Sequence, residues 1–557
     1  MNVINAIKGY IESIVADNQL SGMKALILDD VTTQIISMAY SQTQLLEKEI
    51  YLVERLGKSH ETMNHLKAAI FVQPTEDNFN LLRKELASPK FAEYHLFFSN
   101  ITKGDYVTRL GRADVKEAVK QVHEYYADYL PINDDFFHLG IDRSLVVSAG
   151  PGTSDNVEYR RTLGRNVNGI LSLLLSMKKK PCEIRYQSTS SICQEISKTI
   201  SSTLDNDDIF HFSGKGPLLL LLDRRDDPIT PLLTQWTFQA MVHELLGINN
   251  NRVSLKGAKG IKKDLEEIVI SVTQDGFFAS NKDANFGDLG TAVKSLLDDY
   301  QSKAKLNENI STIEDMQAFM ERFPAFRSQA INVSKHVALM GELARLAERY
   351  KLFDVSALEQ EIACSSDHNT HKKELFEMIG NPAIQATDKI RLTVLYLLRY
   401  ESYNEMINIR AKLNENGLNQ NQMAILDRIL FYAGENKRSP GLFSDGGFFN
   451  KMSKAISTIN GVENVYTQHT PLLSKTLEAI SKGKLKDTTY PLSQRASDVK
   501  SYSEVMIFMV GGATYEEAST VAAFNAANPD IRVVLGGSCV HNSTSFQREI
   551  NRSFVKN

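Results

Sequence analysis

Apolar and polar positions over the first 130 residues follow two periods, one typical of strands and one typical of helices. Short apolar runs predict strands at Lys24–Leu28, Ile50–Glu54, Lys67–Val72 and Tyr94–Phe98. Helical periods predict helices over residues 2–16, 32–47, 75–87 and 105–129. Alternating strands and helices require crossover connections, so residues 1–130 are expected to form an α/β domain with a parallel sheet.

A second α/β pattern follows, and its clearest strand is the run of leucines from Leu218 to Leu222. Such a run is too short to span a bilayer and is typical of a central strand covered on both faces. Further strands are predicted at Ser144–Ala149, Cys182–Gln187, Glu504–Val510 and Ile531–Leu535. The two C-terminal strands hide too little surface to form a domain alone. We therefore expect residues 131–250 and 484–557 to build one discontinuous α/β domain.

Residues 251–483 carry mainly helical signals, which predicts an inserted helical domain. Two of its helices, 311–322 and 327–352, are separated by Pro324, which marks either a hinge or a simple helix stop. The second helix presents two adjoining apolar stripes. They consist of Val333, Val337, Met340, Ala344 and Ala347, and of Leu339, Leu343, Leu346 and Tyr350. This wide face predicts either two neighbouring helices or a groove for a foreign helix.

The net charge, the N-terminal pattern and the cysteine content argue against several classes of protein. Lysine plus arginine number 63 and aspartate plus glutamate 67, a formal net charge of -4. This balance provides no global basic field for nucleic acid. The N-terminus lacks a secretory signal pattern, and no segment approaches about 20 apolar residues. The four cysteines are too few for a disulfide framework. We expect a cytosolic protein with reduced thiols.

The acidic turn after the leucine strand is the best candidate for an enzyme site. Asp223, Asp226 and Asp227 follow a buried strand, where α/β sheets bind ligands and carboxylates can hold Mg²⁺. No phosphate-binding loop accompanies them, and two interleaved arginines can neutralise them. An ion-pair network is favoured, with a nucleotide- or metal-dependent enzyme as the alternative. The C-x₃-H-x₂-H pattern that begins at Cys364 lacks a fourth zinc ligand and predicts a polar loop.

The first domain carries a further candidate surface. Tyr106, Val107 and Leu110 lie at the start of the helix predicted over residues 105–129, which further on carries valines and tyrosines, among them Val122 and Tyr126. These residues either line a shallow apolar pocket suited to a short peptide or simply cover the sheet.

Four motifs, in order along the chain, resemble the Sec/Munc (SM) family of syntaxin-binding proteins. They are DRRDDPITPLLTQWTFQAMVHELLGINNN from Asp223, GVENVYTQHTPLL (Gly461–Leu473), VGGATYEEA (Val510–Ala518) and VVLGGSCVHNSTSF (Val533–Phe546). HELLGINNNR, ENVYTQH and the start MNVINAIKGYI look closest to the vacuolar-protein-sorting branch, which serves the trans-Golgi network and endosomes. The resemblance implies a three-domain arch, with two parallel-sheet α/β domains, the second discontinuous, and a mainly helical inserted domain.

The resemblance also implies a function without catalysis or cofactor. Members of the family bind syntaxin-type Qa-SNAREs and template the four-helix SNARE bundle during vesicle fusion. The expected partners are a Qa-SNARE, through its N-terminal peptide and its SNARE bundle, a vesicle R-SNARE and endosomal tethering factors. We expect a monomer that meets trans-Golgi, endosomal and vesicle membranes only peripherally, through SNAREs.

By similarity, the syntaxin N-terminal peptide is expected to dock near Val107 and Leu110, with Val122 and Tyr126 as neighbours. The segment Glu321–Met340 matches the family's SNARE-templating hairpin, with Pro324 as its hinge and Val337 as an R-SNARE contact. The central cleft of the arch is expected to hold the SNARE bundle or a closed syntaxin. Gln34 stands where members that clamp closed syntaxin tightly carry arginine, which favours the peptide mode of binding.

Overall fold

The computed structural model describes residues 1–16, 20–59, 61–102, 104–149, 156–307, 313–439, 441–443, 466–495 and 501–554. Residues 461–465 of the motif Gly461–Leu473 and the start of the helix predicted at 311 lie outside these ranges. The chain divides into two compact units. The first consists of Met1–Arg225, Leu473–Ala513 and Thr520–Val540, and the second of Asp226–Leu472, Thr514–Ser519 and His541–Asn557. The domain limits at residues 130, 250 and 483 remain predictions.

The first unit begins with a sheet of five parallel strands in the order β2-β1-β3-β4-β5. The strands are β1 Lys24–Leu28, β2 Ile50–Arg55, β3 Met63–Val72, β4 Phe91–Phe98 and β5 Val119–Glu124. The helices around them are α1 Val3–Ala16, α2 Asp30–Ala39, α3 Gln42–Glu47, α4 Glu76–Ala87 and α5 Tyr106–Ala113. The predicted parallel α/β arrangement is confirmed, with β2 and β5 at opposite edges.

The helix predicted over residues 32–47 is two helices, α2 and α3, because Ser41 begins a new one. The Ser41 hydroxyl accepts from the Gln44 amide at 3.3 Å, and the Gln44 side chain accepts from the Ser41 amide at 2.9 Å. This reciprocal cap satisfies amides that a continuous helix would have bonded internally.

The helix predicted over residues 105–129 is wrong beyond Ala113, where the chain turns and forms β5. The Asp114 carboxylate accepts from the amides of Ala118 and Val119, each at 2.9 Å, and thereby fixes the turn. Val119 and Val122 then lie opposite Tyr94 and Leu96 of β4. Cross-strand packing favours such β-branched residues, and it outweighs the helical spacing of the valines.

The second sheet confirms the discontinuous α/β domain. It contains strands from both ends of the chain, in the order β12-β8-β9-β13-β15-β7-β6. Its strands are β6 Leu130–Asn133, β7 Phe136–His138, β8 Glu183–Tyr186, β9 Leu218–Asp223, β12 Leu492–Arg495, β13 Glu504–Val510 and β15 Arg532–Gly537. The leucine strand β9 is buried throughout and pairs in parallel with β8 and β13. The long segment between β9 and β12 is therefore an insertion within this sheet.

The strand predicted at Ser144–Ala149 is a 3₁₀ helix. The sheet position beside β15 is taken instead by β7, where Phe136 lies opposite Leu535. The remaining helices of this region are α6 Asn156–Ser176 and α7 Ser191–Asn206.

The second unit is mainly helical. Its elements from Asp226 onward are α8 Phe238–Leu245, β10 Arg252–Ser254, β11 Glu267–Val269, α9 Gly276–Asn281, α10 Phe286–Asn307, α11 Ile313–Arg349, α12 Leu352–Cys364, α13 His368–Gly380, α14 Ala386–Arg399, α15 Met406–Glu415, α16 Gln420–Met423 and α17 Ile425–Ala433. Later elements of the chain are α18 Leu472–Ser481, β14 Ala513–Thr514, α19 Tyr515–Ala527, β16 Val540–His541 and α20 Ser543–Ser553. The predicted helix stop at Pro324 is wrong, because the backbone of α11 continues through it.

Candidate functional sites

The acidic turn after β9 is buried, and its carboxylates are held by protein donors. Asp223 accepts from the Ser190 hydroxyl at 2.7 Å and forms an ion pair with Arg225 at 3.3 Å. Asp226 accepts from the Ser439 amide at 3.0 Å and from the hydroxyl of the same serine.

Asp227 is held by hydrogen-bond donors from two separate segments of the chain. Its carboxylate accepts from the Thr230 amide at 3.0 Å, the Thr230 hydroxyl at 2.6 Å and the Leu472 amide at 3.0 Å. These bonds fix the backbone after the strand. Across the described ranges, no group of histidine, cysteine, aspartate and glutamate side chains is arranged to hold a metal ion.

The C-x₃-H-x₂-H pattern does not form the predicted polar loop, since both of its histidines lie on α13. The His371 ring nitrogens contact the Ser365 and Tyr400 hydroxyls at 3.2 and 2.7 Å. The His368 ring stacks on Tyr403 with centroids 3.7 Å apart. These contacts make the pattern part of the packing between α13 and the end of α14.

The carboxyl edge of the first sheet, where α/β proteins commonly bind ligands, is occupied by a network of polar side chains. Asp29 accepts from the amides of Thr32 and Gln73, each at 2.7 Å. The Gln73 side chain donates to Asp128 at 2.7 Å, and Arg165 donates to the same carboxylate at 3.1 Å. The network joins the ends of β1 and β3, the first turn of α2 and the segment between β5 and β6. Its polar groups satisfy one another.

The predicted peptide pocket is only partly assembled. Tyr106 and Leu110 are buried in one apolar cluster against β3 and β4, and the half-buried Val122 packs against that cluster. Val107 lies beside the buried face of α5 and is 46% exposed. Tyr126 lies elsewhere, because its ring contacts Tyr10 edge-on at 6.5 Å. The structure therefore brings Tyr106, Leu110 and Val122 together and leaves Val107 to face solvent.

Sequence reasoning missed the contribution of α4 to this surface. The Phe79 ring stacks on Tyr106 with centroids 5.4 Å apart, and the Arg109 guanidinium lies 4.0 Å from the Phe79 centroid. Glu76 holds Arg109 at 3.2 Å. Burial, and then the Glu76 carboxylate, raise the pKa of the Tyr106 hydroxyl. The helical spacing of Phe79 and Leu82 indicated a buried face of α4 but could not indicate its neighbour.

Gln34 lies on α2 and is half buried. Its backbone carbonyl accepts from the Ser37 hydroxyl at 2.8 Å.

The two apolar stripes predicted on α11 differ in burial. The second stripe is core, because Leu339, Leu343 and Leu346 are buried. The first stripe is divided between core and solvent. Val333 is buried and Met340 is half buried, whereas Val337 is 40% exposed and Ala344 is exposed. The wide face therefore packs against the core over much of its width, and the groove for a foreign helix stays a prediction.

A buried polar cluster, which sequence reasoning missed, holds α11 beside α9. The Asp275 carboxylate contacts His336 Nε2 at 2.8 Å and Lys335 Nζ, and it also accepts from the Phe278 amide at 3.0 Å. Burial opposes ionisation, but His336 and Lys335 hold the pKa of Asp275 well below its usual range. The pair Lys335-His336 lies directly before Val337, so the cluster fixes the position of the helix next to that exposed residue.

A second missed cluster surrounds Arg391, which is fully buried on α14. Its guanidinium lies 2.9 Å from Glu359 and 2.8 Å from Asp388, and it donates to the Thr234 hydroxyl at 3.0 Å. The Glu244 carboxylate lies 3.8 Å away. Burial raises the pKa of Glu359 to about 7, against the opposing effect of Arg391 and of the Thr234 amide.

Comparison with known proteins decides the family. A profile described as the Sec1 family matches residues 24–549, which is most of the chain. The chain belongs to the Sec1 family. The predicted Sec/Munc membership is confirmed.

Two relatives of this Sec1-family chain, from distant organisms, carry the same name. Vacuolar protein sorting-associated protein 45 of Dictyostelium discoideum is 41% identical over 561 residues, covering 100% of this chain and 98% of the relative. The Homo sapiens protein of the same name is 40% identical over 557 residues, covering 99% of this chain and 96% of the relative. The predicted resemblance to the vacuolar-protein-sorting branch is thereby confirmed.

A solved structure shares the fold of this Sec1-family chain. A chain described as "SM Protein Vps45 in Complex with Qa SNARE Tlg2 (1-310)" is similar with a TM-score of 0.91 and 40% sequence identity. The similarity covers 99% of this chain and 98% of that chain. The predicted SM fold, with two parallel-sheet regions and a large helical portion, is confirmed. Among the described residues, no helix is both long and apolar enough to cross a bilayer.

Proposed function

We propose that this Sec1-family chain is a non-enzymatic regulator of vesicle fusion that binds a trans-Golgi or endosomal Qa-SNARE and templates SNARE assembly. The observation that supports it best is the similarity, over nearly the whole chain, to a Vps45 in complex with the Qa-SNARE Tlg2. The test is the assembly rate of a four-helix SNARE bundle, followed by energy transfer between labelled SNAREs. Faster assembly with the chain supports the proposal, and an unchanged rate contradicts it.

The proposed setting is vacuolar and endosomal protein transport, which the names of the relatives support. The chain acts from the cytoplasm as a monomer and meets trans-Golgi, endosomal and vesicle membranes peripherally, through SNAREs. Endosomal tethering factors are further proposed partners. Half-buried Gln34 on α2 contributes to the SNARE-facing surface, where a glutamine provides less charge than an arginine would.

For the Qa-SNARE N-terminal peptide, we propose the surface of α5 and β5 around Val107. Val107 is the residue of the predicted set that is free to meet a peptide, while Tyr106, Leu110 and Val122 form the layer beneath it. Because Leu110 is only 2% exposed, Leu110→Arg would place a charge in the core and unfold this region.

The test of this surface is Val107→Asp. A buried aspartate at the contact loses hydration, so the variant is expected to weaken peptide binding at least tenfold in calorimetry. The control is Val53→Asp, on β2 at the opposite edge of the same sheet, where valine is 41% exposed. Equal affinity for wild type and Val107→Asp would remove the surface from consideration, and equal loss in both variants would indicate a general effect on folding.

For the vesicle R-SNARE, we propose the solvent-facing side of α11. Val337 and Ala344 are exposed seven residues apart, a spacing that places them on one side of the helix. An amphipathic SNARE helix can pack its apolar positions there. Pro324 is proposed as the hinge of this hairpin.

The test is Val337→Asp, which is expected to weaken R-SNARE capture and leave binding of the Qa-SNARE N-terminal peptide unchanged. The control is Ile407→Asp on α15, where isoleucine is 78% exposed. If the two variants retain R-SNARE capture equally, the α11 surface is not the contact.

A further inference from the structure

The loop between β10 and β11 contains a three-residue repeat that the proposed function does not use. Residues 255–263, here called the lysine ribbon, read Leu-Lys-Gly, Ala-Lys-Gly, Ile-Lys-Lys. Each triplet has an apolar residue first and a lysine second. Within the ribbon, four residues are basic and none is acidic.

The fold separates the two residue types of the repeat. The apolar members pack against the core of the helical unit, where Leu255 is buried and Ala258 and Ile261 are partly buried. Gly257 and Gly260 have φ of 87° and 74°, a left-handed conformation that favours glycine. The chain therefore returns to the core at every third residue, and the intervening lysines project outward. The exposed members are Lys256, Lys259, Lys262 and Lys263.

Three acidic residues, Asp264, Glu266 and Glu267, follow the ribbon, but within the described ranges ion pairs do not hold its lysines. In the part of the chain that the structure describes, none of its four lysines forms an ion pair. Glu267, across the β10–β11 ladder, is held by Arg252 at 2.6 Å, and Lys256 adds to the positive field around it. The ribbon is thus a strip of four exposed lysines without ion pairs among the described residues, on a chain whose net charge is -4.

The side chains of the lysine ribbon favour one kind of anionic partner over another. Specific recognition of a peptide carboxylate or phosphate generally uses the bidentate fork of arginine, whereas lysines act as point charges on flexible stems. The ribbon exposes lysines alone, in a row anchored from behind, and its apolar residues face the core. A row of this kind suits a plane of many headgroups better than one peptide, and it has no side chain to insert into lipid.

We propose that the lysine ribbon binds the surface of membranes that contain anionic phospholipids. The contact is electrostatic and peripheral, and it adds a direct membrane attachment to the one that SNAREs supply. Each lysine near such a surface is expected to strengthen binding about fivefold.

The test is co-sedimentation of the full chain with vesicles of phosphatidylcholine alone or of phosphatidylcholine with phosphatidylserine. Wild type is expected to bind only the anionic vesicles, and high salt is expected to release it. Lys259→Gln should weaken binding about fivefold, and replacement of all four ribbon lysines by glutamine about a hundredfold or more. The matched control replaces four exposed lysines elsewhere by glutamine, namely Lys351, Lys373, Lys437 and Lys484.

Both fourfold variants change net charge equally, so only the position of the charge differs between them. Retained binding by the control, with loss in the ribbon variant and unchanged thermal unfolding of both, supports the proposal. Three results would overturn it: no binding of wild type to anionic vesicles, equal loss in both variants, or capture by soluble polyglutamate without binding to vesicles.

Discussion

At the scale of single residues, Arg391 is a fully buried cation surrounded by carboxylates. One guanidinium faces the carboxylates of Glu359, Asp388 and Glu244, all in the helical unit. A buried ion pair gives little net stability when both partners are present, but loss of one partner leaves charges without compensation. The cluster therefore makes α14 dependent on a single cation.

Arg391→Met is expected to lower the free energy of unfolding of the helical unit by about 3–5 kcal/mol near neutral pH. The single tryptophan, Trp236, is buried in this unit and stacks on Phe353 at 4.8 Å. Its fluorescence during denaturant unfolding measures the change. If the free energy of unfolding falls by less than about 1 kcal/mol, the remaining carboxylates become protonated or hydrated with little loss of stability, and the prediction is contradicted.

Glu359 predicts a pH dependence with a definite sign. Its pKa is raised from 4.5 to about 7, so the folded state binds this proton more tightly than the unfolded state does. The stability that this group contributes is complete below about 4.5 and is lost as the pH rises through about 7. Glu359→Gln, which resembles the protonated acid, should therefore gain stability relative to wild type as the pH rises from about 5 to about 8. A stability difference that is constant over this range would contradict the assignment.

Residue identity indicates which positions of the candidate surfaces are apolar, but it does not indicate which of them are exposed. The apolar character of Leu110 and Val107 is plain in the sequence, but only the packing of α5 on the sheet buries one and exposes the other. The same holds for Val333 and Val337 on α11. The Asp275 and Arg391 clusters could not be predicted, because their members are brought together by tertiary packing from distant parts of the chain.

At the scale of elements, strands with unbroken apolar runs were predicted well and helices with β-branched spacing poorly. The leucine strand β9 could be predicted from composition alone, because an unbroken run of leucines is typical of a strand that is buried on both faces. The segment after Ala113 has helical spacing, yet the Asp114 turn and the open edge of β4 make it a strand. Local pattern was outweighed there by pairing with a strand that is distant in sequence.

Helix α11 provides the element-scale prediction. Proline inside a helix removes one backbone hydrogen bond and costs about 3 kcal/mol. Because α11 continues through Pro324, Pro324→Ala should stabilise the surrounding turns and slow their amide hydrogen exchange about a hundredfold. If the proposed hinge operates, the same variant should also slow SNARE assembly. Unchanged amide hydrogen exchange would show that Pro324 does not destabilise the helix.

At the scale of the whole molecule, the second sheet is completed by strands from the C-terminal part of the chain, as the sequence predicted. Two C-terminal strands were too few for a domain, and they complete the sheet that the leucine strand occupies, with Val505 opposite Leu218. Strand counting predicted this closure because two strands alone bury too little surface to form a stable domain. It could not predict β6 and β7, whose short apolar runs resemble turns.

The most direct test of the proposed function is a calorimetric titration of the full chain with the Qa-SNARE segment Tlg2 (1-310), the partner described for the similar Vps45. We predict saturable binding that Val107→Asp weakens at least tenfold and that Val53→Asp leaves unchanged. The absence of any binding by the wild-type chain would contradict the proposed function.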